Sequence, residues 1–353
     1  MTELRGLTSA RGIAAWLVVL YHIRLSIAGL PAPLPALLGK GYLAVDFFFL
    51  LSGFVIWLAW HQRLRDGGTV AIARFLQKRV ARIWPLHAVM LAAAAALALL
   101  LAATGRRDPA FPVAELPLHL LLVQNWGLTS ALRWNDPAWS ISCELAAYLL
   151  FPLLVIAADW RRMRTATLLA IATAVLLALH LAMRDQPTLG TDISRFGLLR
   201  CLAEFTTGTI VAPLSQRTRT VGVPMIAAAL LGAAWRAGAP ETLVVPAALA
   251  ALLLALAVHS AGPVRPGPVE RHLHRLGEIS YATYLSHFLL WKAFKLALVR
   301  DPAAVSPWLI ALYLLLVLVA SAGLYRWVER PAQRRINAWP IRRPLPQALP
   351  RAR

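Results

Sequence analysis

The sequence predicts an all-α integral membrane protein, a single bundle of about ten transmembrane helices over residues 1–328. Hydrophobic residues make up 59% of the 353 residues and charged residues only 15%. A soluble domain of this length could not bury so much apolar surface. Mostly apolar segments of about 17 to 22 residues also recur along the whole chain, each long enough to cross a hydrocarbon core about 30 Å thick as a helix.

Short stretches with charged residues, Gly or Pro separate the apolar segments and set the ends of the spans. In chain order, the predicted spans cover residues 7–27, 42–61, 85–104, 138–158, 165–183, 195–213, 221–237, 243–260, 277–297 and 307–328.

The distribution of positive charge predicts the orientation in the membrane. With the N-terminus in the cytoplasm, 24 of the 36 Lys and Arg residues fall inside and 12 outside, which is the usual bias of membrane proteins. The same bias accounts for the net charge of +20 without nucleic acid as a partner. We therefore predict a multi-pass protein of the inner (plasma) membrane, in contact with lipid and with both termini cytoplasmic. The oligomeric state stays open.

Three segments between or after the spans have their own patterns. Residues 66–84 follow a Gly-Gly break and mix apolar with basic side chains, which predicts a helix lying on the cytoplasmic face. Residues 116–123 are apolar but too short to cross, so a re-entrant or interfacial segment is expected. Residues 329–353 are rich in Pro and Arg and predict a disordered cytoplasmic tail. Cys143 and Cys201 lie within predicted spans, and each is expected to be a small, buried hydrophobic residue.

Ionisable side chains inside predicted spans are costly in lipid and are therefore candidate functional groups. At about 1.5 Å per residue, His22, Asp46 and Glu144 fall at one depth in the outer half of the membrane. A carboxylate beside an imidazole fixes its tautomer and raises its basicity, as a general base requires. We therefore expect Asp46 or Glu144 to orient His22. Glu204 and His287 are as consistent with buried structural hydrogen bonding as with function.

Three arginines point to an anion site on the cytoplasmic side. Arg11 lies about 16 Å nearer the cytoplasm than His22 on the same helix. Arg79 and Arg82 are three residues apart, on one helical face, where two guanidinium groups can bind one phosphorylated ligand. Anchoring to lipid headgroups is the alternative for these two residues. We expect no metal site.

Six motifs follow one another along the chain. They are RGIAAWLVVLYH at 11–22, GYLAVDFFFLLSGF at 41–54, RVARIWP at 79–85, WSISCELAAYLLFP at 139–152, GEISYATYLSHFLLW at 277–291 and ERP at 329–331. In this order they resemble the acyltransferase-3 family of integral membrane acyltransferases over nearly the whole chain. Many relatives have a second acidic residue where this chain has Leu145, so a mechanism with two adjacent carboxylates is not expected.

The resemblance implies O-acylation of a carbohydrate, glycolipid or related cell-envelope acceptor, with acyl-CoA, commonly acetyl-CoA, as the cytoplasmic donor. It implies that His22 is catalytic, with Asp46 and Glu144 at acidic motif positions, and that Arg11, Arg79 and Arg82 suit the phosphates of CoA. Residues that would support the substrates are Trp139, Ser140, Tyr148, Tyr281, Tyr284 and His287.

Two questions stay open from the sequence. His22 could remove the proton of the acceptor hydroxyl, or it could carry the acyl group transiently. The buried charges could instead form the path of a proton-coupled transporter or a flippase of a lipid-linked glycan.

Overall fold

The computed structural model describes residues 4–106, 108–262 and 267–341, and these residues form helices without strands. The all-α membrane bundle is therefore confirmed. The helices are α1 Arg5–Ile23, α2 Leu34–Gly39, α3 Ala44–Ala103, α4 Leu116–Leu120, α5 Ala138–Ala157, α6 Thr165–Ala182, α7 Ile193–Arg217, α8 Gly222–Arg236, α9 Glu241–Ser260, α10 Pro268–Glu278, α11 Ser280–Leu298, α12 Pro307–Leu324 and α13 Arg330–Asn337.

Every predicted span overlaps a helix, but only some of these helices are both long and apolar. Within the described residues, six stretches have the length and apolar composition of a membrane span. They are Arg5–Ser26, Leu34–Ala103, Ala138–Ala157, Thr165–Ala182, Glu241–Ser260 and Pro307–Asn337. Of the other predicted spans, α7 and α11 contain charged side chains and α8 has only 15 residues. The count of ten spans stays a prediction.

The expected surface helix at 66–84 is helical but is not a separate element. Gly68 has φ +54°, a left-handed conformation that glycine adopts without steric cost, and it kinks α3 between arms 44–67 and 69–103. Beyond the kink the helix continues without a break into the third predicted span. Its apolar face packs inward, because Phe75 is fully buried against Trp60 and Phe151.

The predictions for the two other segments, 116–123 and 329–353, had different outcomes. The apolar stretch 116–123 contains only the five-residue α4, which is too short for an eleventh span. The tail prediction was wrong for its first part, because 330–337 is the helix α13. Contacts with α3 hold it, since the Gln77 side chain donates to the carbonyls of Ile336 and Trp339. Residues 342–353 lie outside the described part.

Close backbone crossings at glycines hold the helices that position the site. A Cβ on Gly12 of α1 would collide with the backbone at Gly277 of α10, and one on Gly53 of α3 would collide with the backbone of Phe205 in α7. Gly208 of α7 meets the backbone of α3 in the same way. Small residues are what allow membrane helices to approach this closely. The crossings hold α1 against α10 and α3 against α7, and Asp46 of α3 contacts Arg200 of α7.

Candidate active site

Two neighbouring cavities lie inside the bundle, and Val45 and Tyr284 line both of them. We call the larger one, of about 170 Å³, the arginine cavity, because Arg11, Arg79 and Arg82 line it. We call the smaller one, of about 90 Å³, the histidine cavity. Its polar lining includes His22, Arg200, Asp136, Tyr21 and Tyr42.

The structure brings the three sequence-predicted arginines together. Arg11 on α1 donates from Nη2 and Nε to the Gly277 carbonyl, at 2.8 and 3.2 Å. The Arg79 guanidinium lies 5.7 Å from the ring centre of Tyr148. Arg82 lies 5.2 Å from the ring centre of Tyr281 and forms an ion pair with the buried Glu329. Cation–π contacts of this kind hold a guanidinium in place without neutralising it.

Glu144 belongs to the arginine cavity rather than to His22. Its Oε1 accepts a hydrogen bond of 2.5 Å from the Ser52 hydroxyl, and the Tyr148 hydroxyl lies 3.5 Å from the same Ser52 oxygen. Ser52, Glu144 and Tyr148 all line this cavity. One carboxyl and two hydroxyls therefore face the same space as the three guanidinium groups.

His22 lies near the end of α1, and hydrogen bonds fix its tautomer. The Nδ1 atom of His287 lies 2.7 Å from the Tyr284 carbonyl, which can only accept, so His287 Nδ1 carries a hydrogen. With both rings neutral, His287 Nε2 is then an acceptor, and it lies 3.1 Å from His22 Nδ1. His22 Nδ1 also lies 2.9 Å from the Val18 carbonyl. The hydrogen of His22 is therefore on Nδ1, and its Nε2 presents a lone pair.

The expected orientation of His22 by Asp46 or Glu144 is wrong in this structure. Asp46 is fully buried and its Oδ1 accepts from Arg200, at 2.7 Å from Nη2 and 3.2 Å from Nε. Glu144 contacts Ser52, as described above. The reason is geometric, because equal depth along the membrane normal does not fix the direction in which each helix points a side chain. His287, which the resemblance named only as supporting, has the side chain that contacts Nδ1 of His22.

The other supporting residues surround the two cavities. Ser140 and Tyr284 share a hydrogen bond of 2.8 Å between their hydroxyls. Tyr281 donates to the Ile83 carbonyl at 2.6 Å, which ties α11 to the second arm of α3. Trp139 lines the histidine cavity, and the Arg200 guanidinium lies 5.4 Å from the centre of the Trp139 ring. With Tyr148, these residues all lie at the cavity walls.

Arg200 and Asp136, the two residues of the histidine cavity with a guanidinium or a carboxyl group, were missed by sequence reasoning. Arg200 is only 1% exposed, and its signal was available, since it is an arginine inside the predicted span 195–213. Asp136 precedes α5 in the loop and gave no signal. Burial raises the pKa of the Asp136 carboxyl, and the positive charge of Lys292 offsets part of that rise.

Neither cysteine joins the site, and the described residues offer no metal site. Cys143 and Cys201 are free, fully buried and part of the hydrophobic core, as the sequence predicts. In the ranges that the structure describes, no group of three His, Cys, Asp or Glu side chains could hold a metal ion.

Comparison with known proteins decides the family. Residues 4–326 match the acyltransferase-3 family model, described as an acyltransferase domain. The chain belongs to this family. It is 32% identical over 343 residues to Acyltransferase MdmB from Streptomyces mycarofaciens. The aligned region covers 87% of this chain and 84% of MdmB.

A shorter similarity is to Protein 2 in picA locus from Rhizobium radiobacter. The two are 34% identical over 152 residues, which is 39% of this chain and 75% of that protein. No solved structure matches the chain. The match to the family confirms the resemblance read from the six motifs and the enzyme class, so the protein is a membrane acyltransferase rather than the alternative transporter or flippase.

Proposed function

We propose that this acyltransferase moves an acyl group, commonly acetyl, from cytoplasmic acyl-CoA to a hydroxyl of a carbohydrate or glycolipid acceptor. It would do so in the inner membrane with both termini in the cytoplasm. One observation carries the proposal. A cavity lined by three arginines adjoins a cavity lined by His22, whose Nε2 presents a lone pair, and Val45 and Tyr284 line both cavities.

The arginine cavity suits the donor. Guanidinium groups bind phosphate oxygens through forked, charge-assisted hydrogen bonds. Arg11, Arg79 and Arg82 would bind the phosphates of CoA, and the thin pantetheine arm would extend toward Val45 and Tyr284. The competing role for Arg79 and Arg82, anchoring to lipid headgroups, requires no ligand in this cavity and therefore makes a different prediction for CoA binding.

The histidine cavity suits the acceptor. Its walls combine the flat rings of Tyr21, Tyr42 and Trp139 with the polar groups of His22 and Asp136. Mostly apolar rings with a few polar groups that fix orientation are the usual lining of a site for a small organic ligand. A hydroxylated ring compound would find both surfaces here.

The proposed reaction uses the lone pair on His22 Nε2. The acceptor hydroxyl gives its proton to Nε2 while its oxygen attacks the thioester carbonyl, and the C–S bond then breaks. The thiolate of CoA takes the proton back from the imidazolium, so an ester and CoA leave. His287 keeps the ring of His22 in the required tautomer. The same lone pair could form a transient acyl-histidine, and this alternative stays open.

The test is binding and turnover of radiolabelled acetyl-CoA by the purified protein in detergent. We expect Arg79→Ala/Arg82→Ala to lose binding, and His22→Ala to bind acetyl-CoA but release no CoA. Arg74→Ala and His272→Ala are matched controls, because both side chains are exposed and outside the two cavities. A folded wild-type protein that does not bind acetyl-CoA would contradict the proposed donor.

A further inference from the structure

Arg200 is the only arginine or lysine among the described residues that line the histidine cavity. It lies on α7, and its guanidinium is held from two sides. Its Nη2 and Nε donate to Asp46 Oδ1, and its plane lies near the ring of Trp139. A guanidinium fixed in this way loses little freedom when it forms another hydrogen bond.

One nitrogen of this guanidinium is left without a partner. Nη1 of Arg200 is buried and makes no hydrogen bond to any residue that the structure describes. A charged donor buried without an acceptor is unfavourable, and a group with only a structural role would be expected to be satisfied. The same side chain lines the cavity that contains His22. Nη1 itself is buried beside the cavity, and other atoms of the same side chain form part of the cavity wall.

The Asp46 carboxyl is also hydrogen-bonded to the carboxyl of the neighbouring, fully buried Glu204. Asp46 lines neither cavity, whereas Arg200 lines the histidine cavity.

The chemistry at this position requires a donor of this kind. When the acceptor oxygen attacks the thioester, the carbonyl oxygen becomes negatively charged while the proton moves to His22. A fixed N–H donor in a water-poor site stabilises such charge far more than water does, because no reorganisation is needed as the charge forms.

We propose that Arg200 is a second catalytic residue, whose guanidinium donates to the oxyanion formed on the acyl carbonyl, and that Asp46 positions it. This inference rests on the proposed acyl transfer. The carbonyl C–O π electrons move to the oxygen as the new C–O bond forms, and they return when the C–S bond breaks. Arg200 stays protonated throughout, so no further reactant is needed.

The alternative is that Arg200 only neutralises Asp46. The two roles separate in a double variant, Arg200→Met/Asp46→Leu, in which both charges are replaced by apolar groups of similar size. Removing a buried ion pair as a unit leaves no unpaired charge and is often tolerated by the fold. Arg200→Lys is the second variant, because it keeps the positive charge but loses the fork.

The experiment measures CoA release from acetyl-CoA with water as acceptor, CoA binding, and the thermal unfolding temperature. We expect both variants to bind CoA within about 2-fold of wild type and to lose about 10²- to 10³-fold in kcat, as loss of one oxyanion donor does. The control is Arg184→Gln/Asp185→Asn, an exposed ion pair with an N–O distance of 3.7 Å that lines neither cavity.

Turnover within about 3-fold of wild type in the folded double variant, or in Arg200→Lys, would overturn the catalytic role and leave the proposed acyl transfer intact. A wild-type protein that binds no CoA and releases none would overturn the acyl transfer itself and this inference with it. Loss of kcat in Arg200→Lys with unchanged CoA binding supports the role even if the double variant does not fold.

Discussion

The arginine cavity and the histidine cavity adjoin, yet they hold their polar groups in different ways. In the arginine cavity, Arg79 lies 5.7 Å from the ring centre of Tyr148, and its buried Nε has no hydrogen bond among the described residues. Arg82 combines a ring contact at 5.2 Å with its ion pair to Glu329. In the histidine cavity, His22 and Arg200 are oriented by hydrogen bonds of 3.2 Å or less. Ring contacts leave a side chain some freedom, whereas directional hydrogen bonds fix a ring or a guanidinium plane.

This difference matches what each proposed task needs. Binding of a polyphosphate depends on summed charge and tolerates small displacements of each group. Proton transfer and oxyanion stabilisation depend on the position of single atoms, and small misplacements are costly there. We therefore expect substitutions at the arginine cavity to change affinity by modest factors, and substitutions at the histidine cavity to change the turnover rate by large ones.

Among the substitutions that test this difference between the cavities, His287→Ala is expected to change kcat the most. His287→Ala removes the acceptor for His22 Nδ1 and leaves only the Val18 carbonyl to orient the ring. Loss of an orienting partner of this kind commonly costs about 10- to 100-fold in activity. We expect kcat for CoA release to fall by that factor with KM for acetyl-CoA unchanged.

His287→Gln is the companion variant, because an amide oxygen can still accept from His22 and should restore part of kcat. The result that would contradict a positioning role is a rise in KM of His287→Ala with kcat preserved. Thermal unfolding of both variants checks that the fold is retained.

A smaller effect is expected within the arginine cavity, where the two neighbouring arginines differ. Arg82 is already paired with Glu329, whereas the Nε of Arg79 is buried and has no hydrogen-bond partner among the described residues. A charge-assisted hydrogen bond contributes about 1.5 to 3 kcal/mol. We therefore expect Arg79→Gln to weaken CoA binding by about 10-fold or more, from that range, and Arg82→Gln to weaken it less.

Stability should follow the opposite order. Arg82→Gln leaves Glu329, which is 1% exposed, without its ion pair, and should lower the unfolding temperature more than Arg79→Gln does. Isothermal titration with CoA and thermal unfolding in the same detergent measure both quantities. Equal losses of affinity would show that Glu329 does not weaken the contribution of Arg82 to binding.

The comparison also explains which parts of the site could be predicted from the sequence. Arg11, Arg79 and Arg82 were grouped correctly around one cavity. The prediction used the distance of Arg11 from His22 along one helix, and the three-residue spacing that places Arg79 and Arg82 on one helical face. Both quantities are fixed by helix geometry. Asp46 and Glu144 were misplaced because the rotation of one helix relative to another depends on packing, here the crossing at Gly53 of α3.

The fold follows the same division. Hydrophobic segments predicted the helical bundle, because apolar length is a local property of the chain. Residues 66–84 were predicted as a helix on the cytoplasmic face between two spans, yet α3 continues through them with only a kink at Gly68. The helix α13 was missed because its stability comes from contacts with α3, such as those of Gln77, which no local pattern encodes.

The two cavities should also differ in how salt affects CoA binding and turnover. Attraction between phosphates and partly exposed arginines weakens with ionic strength, whereas buried pairs are screened much less. Between about 0.05 and 0.5 M NaCl, a range over which the Debye length falls severalfold, we expect Kd for CoA to rise. At saturating acetyl-CoA, kcat should stay within about 2-fold, since the buried Arg200 and Asp46 pair is shielded from salt. A kcat that falls in parallel with affinity would remove the proposed distinction between the cavities.

The smallest effect is expected at an ion pair outside both cavities, which provides a baseline for the others. Asp108 Oδ2 lies 2.6 Å from Lys292 Nζ, and both side chains are partly exposed. Burial raises the pKa of Asp108, but the hydrogen bond and charge of Lys292 outweigh it, and the pKa is lowered overall. Because the folded-state pKa lies below the unfolded value, the pair stabilises the fold above about pH 4. That stabilisation is lost as the pH falls through the folded-state pKa.

Asp108→Asn should therefore lower the free energy of unfolding at pH 7 by less than about 1 kcal/mol, the usual limit for an exposed pair. The difference from wild type should shrink at acidic pH, and CoA release should not change. Asp185→Asn is the matched control, since its ion pair with Arg184 is exposed at both ends. Thermal unfolding at both pH values measures the effect. If Asp108→Asn lowered kcat as much as His287→Ala does, the rate losses at the histidine cavity would reflect general loosening of the outer side of the bundle rather than chemistry.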